Sequence, residues 1–199
     1  MNYLKMLVED FHSVVIATID ESYHPVTRVI DMMIYDANTV YFLTARGKAF
    51  YAQLMRDNYA SLSAVKGKKA ISLKGIVENI KKDKLDEIFL KNPYMQSIYP
   101  KDTRDVLEVF KFVSADGEYF DISNPSKIFR KFFSIGKNKI NTSLYRVLDG
   151  CDKCEECIPK CPQGCITLMN DSIHIEEKHC LHCNRCVELC PRKAIKKMR

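Results

Sequence analysis

The chain has 199 residues, of which 46% are hydrophobic and 28% charged, a balance that belongs to globular proteins and excludes a disordered chain. No stretch reaches the ~20 apolar residues of a membrane span, and Lys5, Glu9 and Asp10 interrupt any signal-peptide core, so neither membrane nor export is expected. The formal charge is +6, but its local runs (Lys66/Lys68/Lys69, Lys81/Lys82, Lys137/Lys139, Lys196/Lys197/Arg199) lack interleaved aromatics, as expected of solvated turns and helix faces, and no nucleic-acid partner is expected.

In chain order, a short amphipathic start at Tyr3–Val8 precedes a β-branched strand from His12 to Ile19, and the segment from Asp20 to His24 reads as a turn. Pro25 to Tyr35 forms the next strand and Thr39 to Thr44 a third, joined through Asp36-Ala37-Asn38. Residues 48–57 are helical in composition. Strands follow at about 60–66 and 70–80, around the Lys66-Gly67-Lys68 turn. Lys81 to Lys91 is an amphipathic helix with Leu85, Ile88, Phe89 and Leu90 on its apolar side. Strands near 106–114 and 118–122 flank Asp116-Gly117, a hairpin signal. The fold class is therefore mainly β with helices, a small barrel with helical cover.

The segment Tyr41-Phe42-Leu43-Thr44-Ala45-Arg46-Gly47-Lys48 ends a strand and opens a helix. Such a junction aims unpaired backbone N–H groups at one spot, and Thr44, Arg46 and Lys48 add a hydroxyl and two cations. It fits a phosphate site and fits equally a plain helix start with solvated cations. It is not a Walker loop, because Phe42 replaces the first glycine and Ala49 the magnesium-binding hydroxyl.

Ala17-Thr18-Ile19, then Arg28-Val29-Ile30-Asp31-Met32-Met33, Leu43-Thr44 with Arg46-Gly47-Lys48, and Lys74-Gly75-Ile76-Val77-Glu78 together resemble the pyridoxamine 5'-phosphate oxidase-like flavoproteins. The resemblance spans residues 1–125. It implies a split β-barrel binding FMN in a homodimer. It also implies that Arg28 and Lys48 hold the phosphate with Thr44 and Arg46, and that the backbone of Val29, Ile30, Asp31, Met32 and Met33 lines the isoalloxazine ring. The oxidases end in an Arg-Leu-x-Pro substrate tail, which has no counterpart here, and this argues against vitamin B6 oxidation. No general acid or base stands out: His12, His24, Tyr35 and Tyr41 read as ordinary strand or turn residues. The connecting segment, 126–147, carries Phe129, Phe132, Phe133 and Ile135 and is too apolar for a free linker; Gly136-Lys137-Asn138 reads as a turn.

All nine cysteines lie between Cys151 and Cys190, which marks residues 148–199 as a second domain under a different chemical demand. Clustered cysteines in a cytoplasmic protein, where thiols stay reduced, mean metal or redox chemistry. Residues 151–166 and 180–195 superpose at a shift of 29, pairing Cys151/Cys180, Cys154/Cys183, Cys157/Cys186, Cys161/Cys190 and Pro162/Pro191, an internal duplication. Paired zinc sites use C-x-x-C pairs and do not fit two triplets with two C-P signals. The run C-x-x-C-x-x-C-x-x-x-C-P resembles that of bacterial ferredoxins, whose fourth cysteine ligates the other cluster. The resemblance implies a small α+β ferredoxin-like domain holding two 4Fe-4S clusters, one on Cys151, Cys154, Cys157 and Cys190, the other on Cys180, Cys183, Cys186 and Cys161. Cluster charge would then cancel most of the +6. Cys165 pairs with Ala194 in the repeat and reads as a small core residue, and His179 and His182 as surface residues. The chain is expected to be an FMN- and 4Fe-4S-dependent oxidoreductase of unknown substrate, exchanging electrons with a redox partner protein or a small-molecule donor or acceptor. The alternatives are a non-enzymatic carrier or redox sensor, or a barrel that binds deazaflavin or haem.

Overall fold

In the computed structural model, which describes residues 1–136 and 144–198, hydrophobic alternation and turn chemistry produce two compact units. The first is drawn from Met1–Gly117 and Phe133–Lys139, the second from Glu118–Phe132 and Ile140–Arg199. The expected Lys137/Lys139 run and the rest of the Gly136-Lys137-Asn138 turn lie outside the described residues.

The first unit opens with α1 (Tyr3–Lys5), which continues as a π-helical stretch, Met6–Phe11. β1 (Ser13–Ile19) and β2 (Pro25–Asp31) form a seven-pair antiparallel ladder closed by the Asp20 turn, where the Asp20 carboxylate accepts from the Ser22 and His24 amides. The strand expected to run from Pro25 to Tyr35 breaks at Met32-Met33, and β3 (Ile34–Tyr35) pairs instead with β4 (Val40–Ala45). Both methionines are buried. Helix α2 (Ala49–Asp57) buries Phe50, Gln53 and Leu54, an i, i+3, i+4 stripe, and ends on Asn58 in the left-handed region at φ 51°. β5 (Tyr59–Lys66) and β6 (Lys69–Lys81) pair across the Lys66-Gly67-Lys68 turn, and α3 (Leu85–Lys91) and α4 (Met95–Ile98) cover one end.

β7 (Leu107–Asp121) corrects the sequence reading. The Asp116-Gly117 dipeptide makes no turn, and one strand runs through it. A Cβ on Gly117 would lie 2.3 Å from the Phe133 ring, so the glycine serves close packing against β8 (Phe129–Ile135). Gly75 does the same in β6, where a Cβ would stand 2.1 Å from the Ser114 carbonyl oxygen. The sheet runs β2-β1-β5-β6-β7-β4-β3 with β8 also on β7, and curls into a split barrel. Phe42, Phe110, Phe112, Ile16, Leu54 and Leu73 fill its interior.

The second unit is small. β9 (Tyr145–Val147) pairs with β12 (Ile195–Lys197). β10 (Ile166–Met169) and β11 (Ser172–Ile175) form a hairpin whose Asn170 and Asp171 both have positive φ, the two-residue turn that suits strand twist. A short helix, α5 (Arg185–Glu188), follows. The buried core is Tyr145, Cys165, Ile166, Ile173, Cys180 and Ile195. No helix among the described residues is long and apolar enough to cross a membrane.

Candidate functional site: a cysteine module and a barrel rim

The sequence duplication recurs in the backbone. Lys153, Glu155 and Gly164 have φ of 60°, 59° and 57°, and His182, Asn184 and Lys193, each 29 positions later, have 56°, 68° and 51°. Five of these six are not glycine, so each loop holds left-handed residues that L side chains disfavour. Such turns direct backbone N–H groups into an anion-binding hollow. The His182 N–H donates to Cys180 Sγ at 3.4 Å and the Ala194 N–H to Cys190 Sγ at 3.3 Å. This signal was invisible in the sequence, where Lys153 and Glu155 look like ordinary surface residues.

The sulfurs group across the repeat. Burial pushes the Cys157 thiol up, and the charges of Cys151, Cys154 and Cys190 add to the shift. Burial raises Cys186 to about 11, with Cys180, Cys183 and Cys161 as its sulfur neighbours. A small hollow is walled by Cys161, Cys180, Cys183 and Cys186, with Cys165, Ile166 and Tyr145 beside them. Soft thiolate donors in fours around a mostly apolar hollow, with backbone N–H groups donating to Cys180 and Cys190, suit a 4Fe-4S group. Cys165 is buried, as is Ala194, and its Sγ lies 3.4 Å from that of Cys161. The hydrogen bond with Cys180 raises Cys165 above the ordinary thiol range, and the same bond lowers Cys180 to about 7.

The two histidines are not surface residues. His179 is buried and its Nδ1–H donates to the Ile128 carbonyl at 2.6 Å. His182 stacks on Phe132 at 6.4 Å between centroids and meets the Glu177 carboxylate at 3.3 Å; burial lowers its pKa. Glu177, Cys180 and His182 bring their ligand atoms within 4.8 Å of one another, a grouping that shares Cys180 with the cysteine set.

On the barrel, Thr44 and Leu43 are buried in β4, Arg46 and Gly47 form the turn, and Lys48 is exposed in extended conformation just before α2. A Cβ on Gly47 would meet nothing within 4 Å, so the turn stands open. Lys48 has no ion pair among the described residues, whereas Arg46 turns to the Asp105 carbonyl at 2.7 Å and to Glu108 at 3.6 Å. Arg28 reaches from β2 to Thr18 Oγ1 (2.5 Å) and Gln53 Oε1 (3.0 Å), lies over the Phe50 ring, and has its pKa lowered by burial. Val29 is exposed, Ile30 is half-buried, and Met32 and Met33 turn their side chains into the core.

Asp31 lies in a group that the sequence did not reveal. It accepts from Ser13 Oγ (2.6 Å) and Tyr94 Oη (2.7 Å), and His12 Nε2 sits 3.3 Å from that phenol. Burial works against the Asp31 carboxylate, but the Ser13 and Tyr94 hydrogen bonds and the nearby His12 outweigh it and hold its pKa below the ordinary value. Tyr41 donates to Asp36 at 2.6 Å and Tyr35 to Glu9 at 2.9 Å, while His24 lies in the exposed Asp20 turn.

The curled antiparallel sheet joined to a duplicated cysteine module defines a split-barrel protein with an iron–sulfur domain. A family model for pyridoxamine 5'-phosphate oxidase matches residues 3–119, more than half of the chain, and a 4Fe-4S dicluster domain model matches residues 150–195. The chain belongs to the pyridoxamine 5'-phosphate oxidase family and carries a 4Fe-4S dicluster domain. A search of curated proteins found no match. Among solved structures it is similar to a NimC/NimA family protein from Clostridium acetobutylicum, with TM-score 0.56 and 17% identity over 68% of this chain and 95% of that one. It is also similar to a protein of the same organism related to general stress protein 26 of B. subtilis, of the pyridoxinephosphate oxidase family (TM-score 0.51, 19% identity, 68% and 93%). A haem binding protein from Mycobacterium smegmatis aligns with TM-score 0.51 and 11% identity over 67% of this chain and 56% of that one. At these identities the likeness concerns the fold.

Proposed function

We propose that the chain is a cytoplasmic electron-transfer flavoprotein, in which an FMN on the barrel exchanges electrons with two 4Fe-4S clusters, and that it acts as an oxidoreductase. The observation that carries the reading is the placement of Cys161 with Cys180, Cys183 and Cys186 around one hollow, across the repeat, in a chain that is otherwise a split barrel of the pyridoxamine 5'-phosphate oxidase family. When bound, flavin takes up electrons in pairs and releases them singly, and a 4Fe-4S cluster carries one at a time.

The eight cysteines hold the clusters in those two sets, and the left-handed loop residues aim N–H groups at the ligand sulfurs. Lys48 and Arg28 hold the FMN phosphate with the Thr44–Lys48 turn, and Arg46 acts through that turn, since its guanidinium is engaged by Asp105 and Glu108. The ring lies against Val29 to Met33: β2 is an edge strand with one row of backbone groups free of a strand partner. A second copy covers the outer face of β1 and β2, where Val15 and Val29 stand opposite each other, 47% and 68% exposed.

The test is the absorbance spectrum with iron and flavin analysis of anaerobically purified protein. About eight irons and about one FMN per chain are expected. About four irons, a Soret band, or a deazaflavin in place of FMN would overturn the corresponding part of the reading.

A further inference from the structure

The cysteine module does not form its unit alone. Glu118–Phe132, which precedes it in the chain, belongs to the same compact unit. Gln163 pins this segment by accepting from the Ile128 amide (2.8 Å) and donating to the Pro125 carbonyl (3.0 Å), and His179 takes the Ile128 carbonyl. The segment delivers a cation. The Arg130 side chain is only 14% exposed, pairs with Glu118, lies over the Phe120 ring at 4.7 Å and the Phe132 ring at 6.0 Å, and its Nε has no partner among the described residues. Phe132 stacks on His182, and the His182 N–H donates to Cys180 Sγ.

Resting on the two-cluster reading above, we propose that Arg130 is a positioning residue that raises the reduction potential of the cluster held by Cys161, Cys180, Cys183 and Cys186. Reduction adds one negative charge to a cluster, and a cation nearby favours the reduced form, more strongly where burial limits screening. Glu118 opposes it, so loss of Arg130 also leaves that carboxylate uncompensated. Among the described residues the other half of the repeat has no equivalent. Lys153, at the His182 position, is exposed and paired with Asp171, and Arg192, near Cys154, is 62% exposed and paired with Asp152. One duplicated loop is thus tuned by a residue from outside the duplication, which gives the two clusters unequal potentials and electrons a preferred resting place.

The experiment is an EPR-monitored redox titration of the full chain after iron analysis, with Cys183→Ser marking the second cluster's signal. Arg130→Gln should lower the midpoint of that cluster, shifting one-electron exchange between the clusters about tenfold, ~59 mV, with the first cluster unmoved. Arg130→Lys should retain most of the wild-type value and Glu118→Gln should shift it upward. If Arg130→Gln does not hold its iron, the Glu118→Gln shift decides. No shift in the iron-loaded variants, or an equal shift of both clusters, overturns the proposal. Wild-type protein with a single cluster would instead overturn the two-cluster reading.

Discussion

The barrel and the cysteine unit are stabilised by different chemistry. The barrel buries Phe42, Phe110, Phe112, Ile16, Leu54 and Leu73 and closes its strands over glycines at the tightest approaches. Among the described residues the cysteine unit's core cluster has six buried members, two of them cysteines, beside short strands and a short helix. A unit with so little apolar burial needs covalent or metal links to hold a fold, whereas the barrel residues, which include no cysteine, bury a large apolar core. The difference extends to the cysteines: the barrel core contains none, while in the cysteine unit Cys180 lies within the buried core and Cys151, Cys157, Cys161, Cys186 and Cys190 pack against it.

The largest expected effect separates the two units. Chelation of iron from reconstituted protein should unfold the cysteine unit, with loss of amide protection in β9–β12, while the barrel strands stay protected. Uniform protection after iron loss would remove the distinction. Phe110→Ala should act the other way, destabilising the barrel by about 3–5 kcal/mol in denaturant unfolding and leaving the iron content unchanged. Next comes the rim. Lys48→Ala removes a charge-assisted contact of about 1.5–3 kcal/mol, so FMN affinity measured by fluorescence should fall about 10- to 150-fold with the barrel's melting unaltered. Unchanged affinity in the Arg28→Ala/Lys48→Ala double variant would place the phosphate elsewhere. The smallest effect belongs to Cys165→Ala, which matches the repeat's own Ala194 and should retain both clusters with less than about 1.5 kcal/mol change in stability. Loss of iron there would make Cys165 a ligand.

The two units were also unequally legible. The cysteine spacing displayed the duplication, because metal ligation fixes residue identity at each position. The strands of the barrel followed from alternation, and α2 from its composition, since each element needs only local signals. What failed depended on distant partners. Asp116-Gly117 carries the local signature of a turn, yet Phe133 needs that glycine's empty side, and β7 runs on. His179 looked like a polar neighbour of a cysteine loop, but a carbonyl fifty-one positions earlier takes its ring nitrogen. The Ser13, Asp31, Tyr94 and His12 group joins residues up to 82 apart in the chain. No window of sequence contains such pairs.

The central claim, that electrons pass between the flavin and the clusters of one molecule, is tested most directly by anaerobic stopped-flow on the intact chain, following cluster bleaching and flavin bleaching separately after mixing with a low-potential donor. The account predicts cluster reduction followed by flavin reduction at a rate independent of protein concentration. It also predicts that the transfer phase disappears when the chain is truncated before Leu148 and the remaining barrel is flavin-loaded. Cluster and flavin signals that never exchange, or that exchange in proportion to protein concentration, would contradict it.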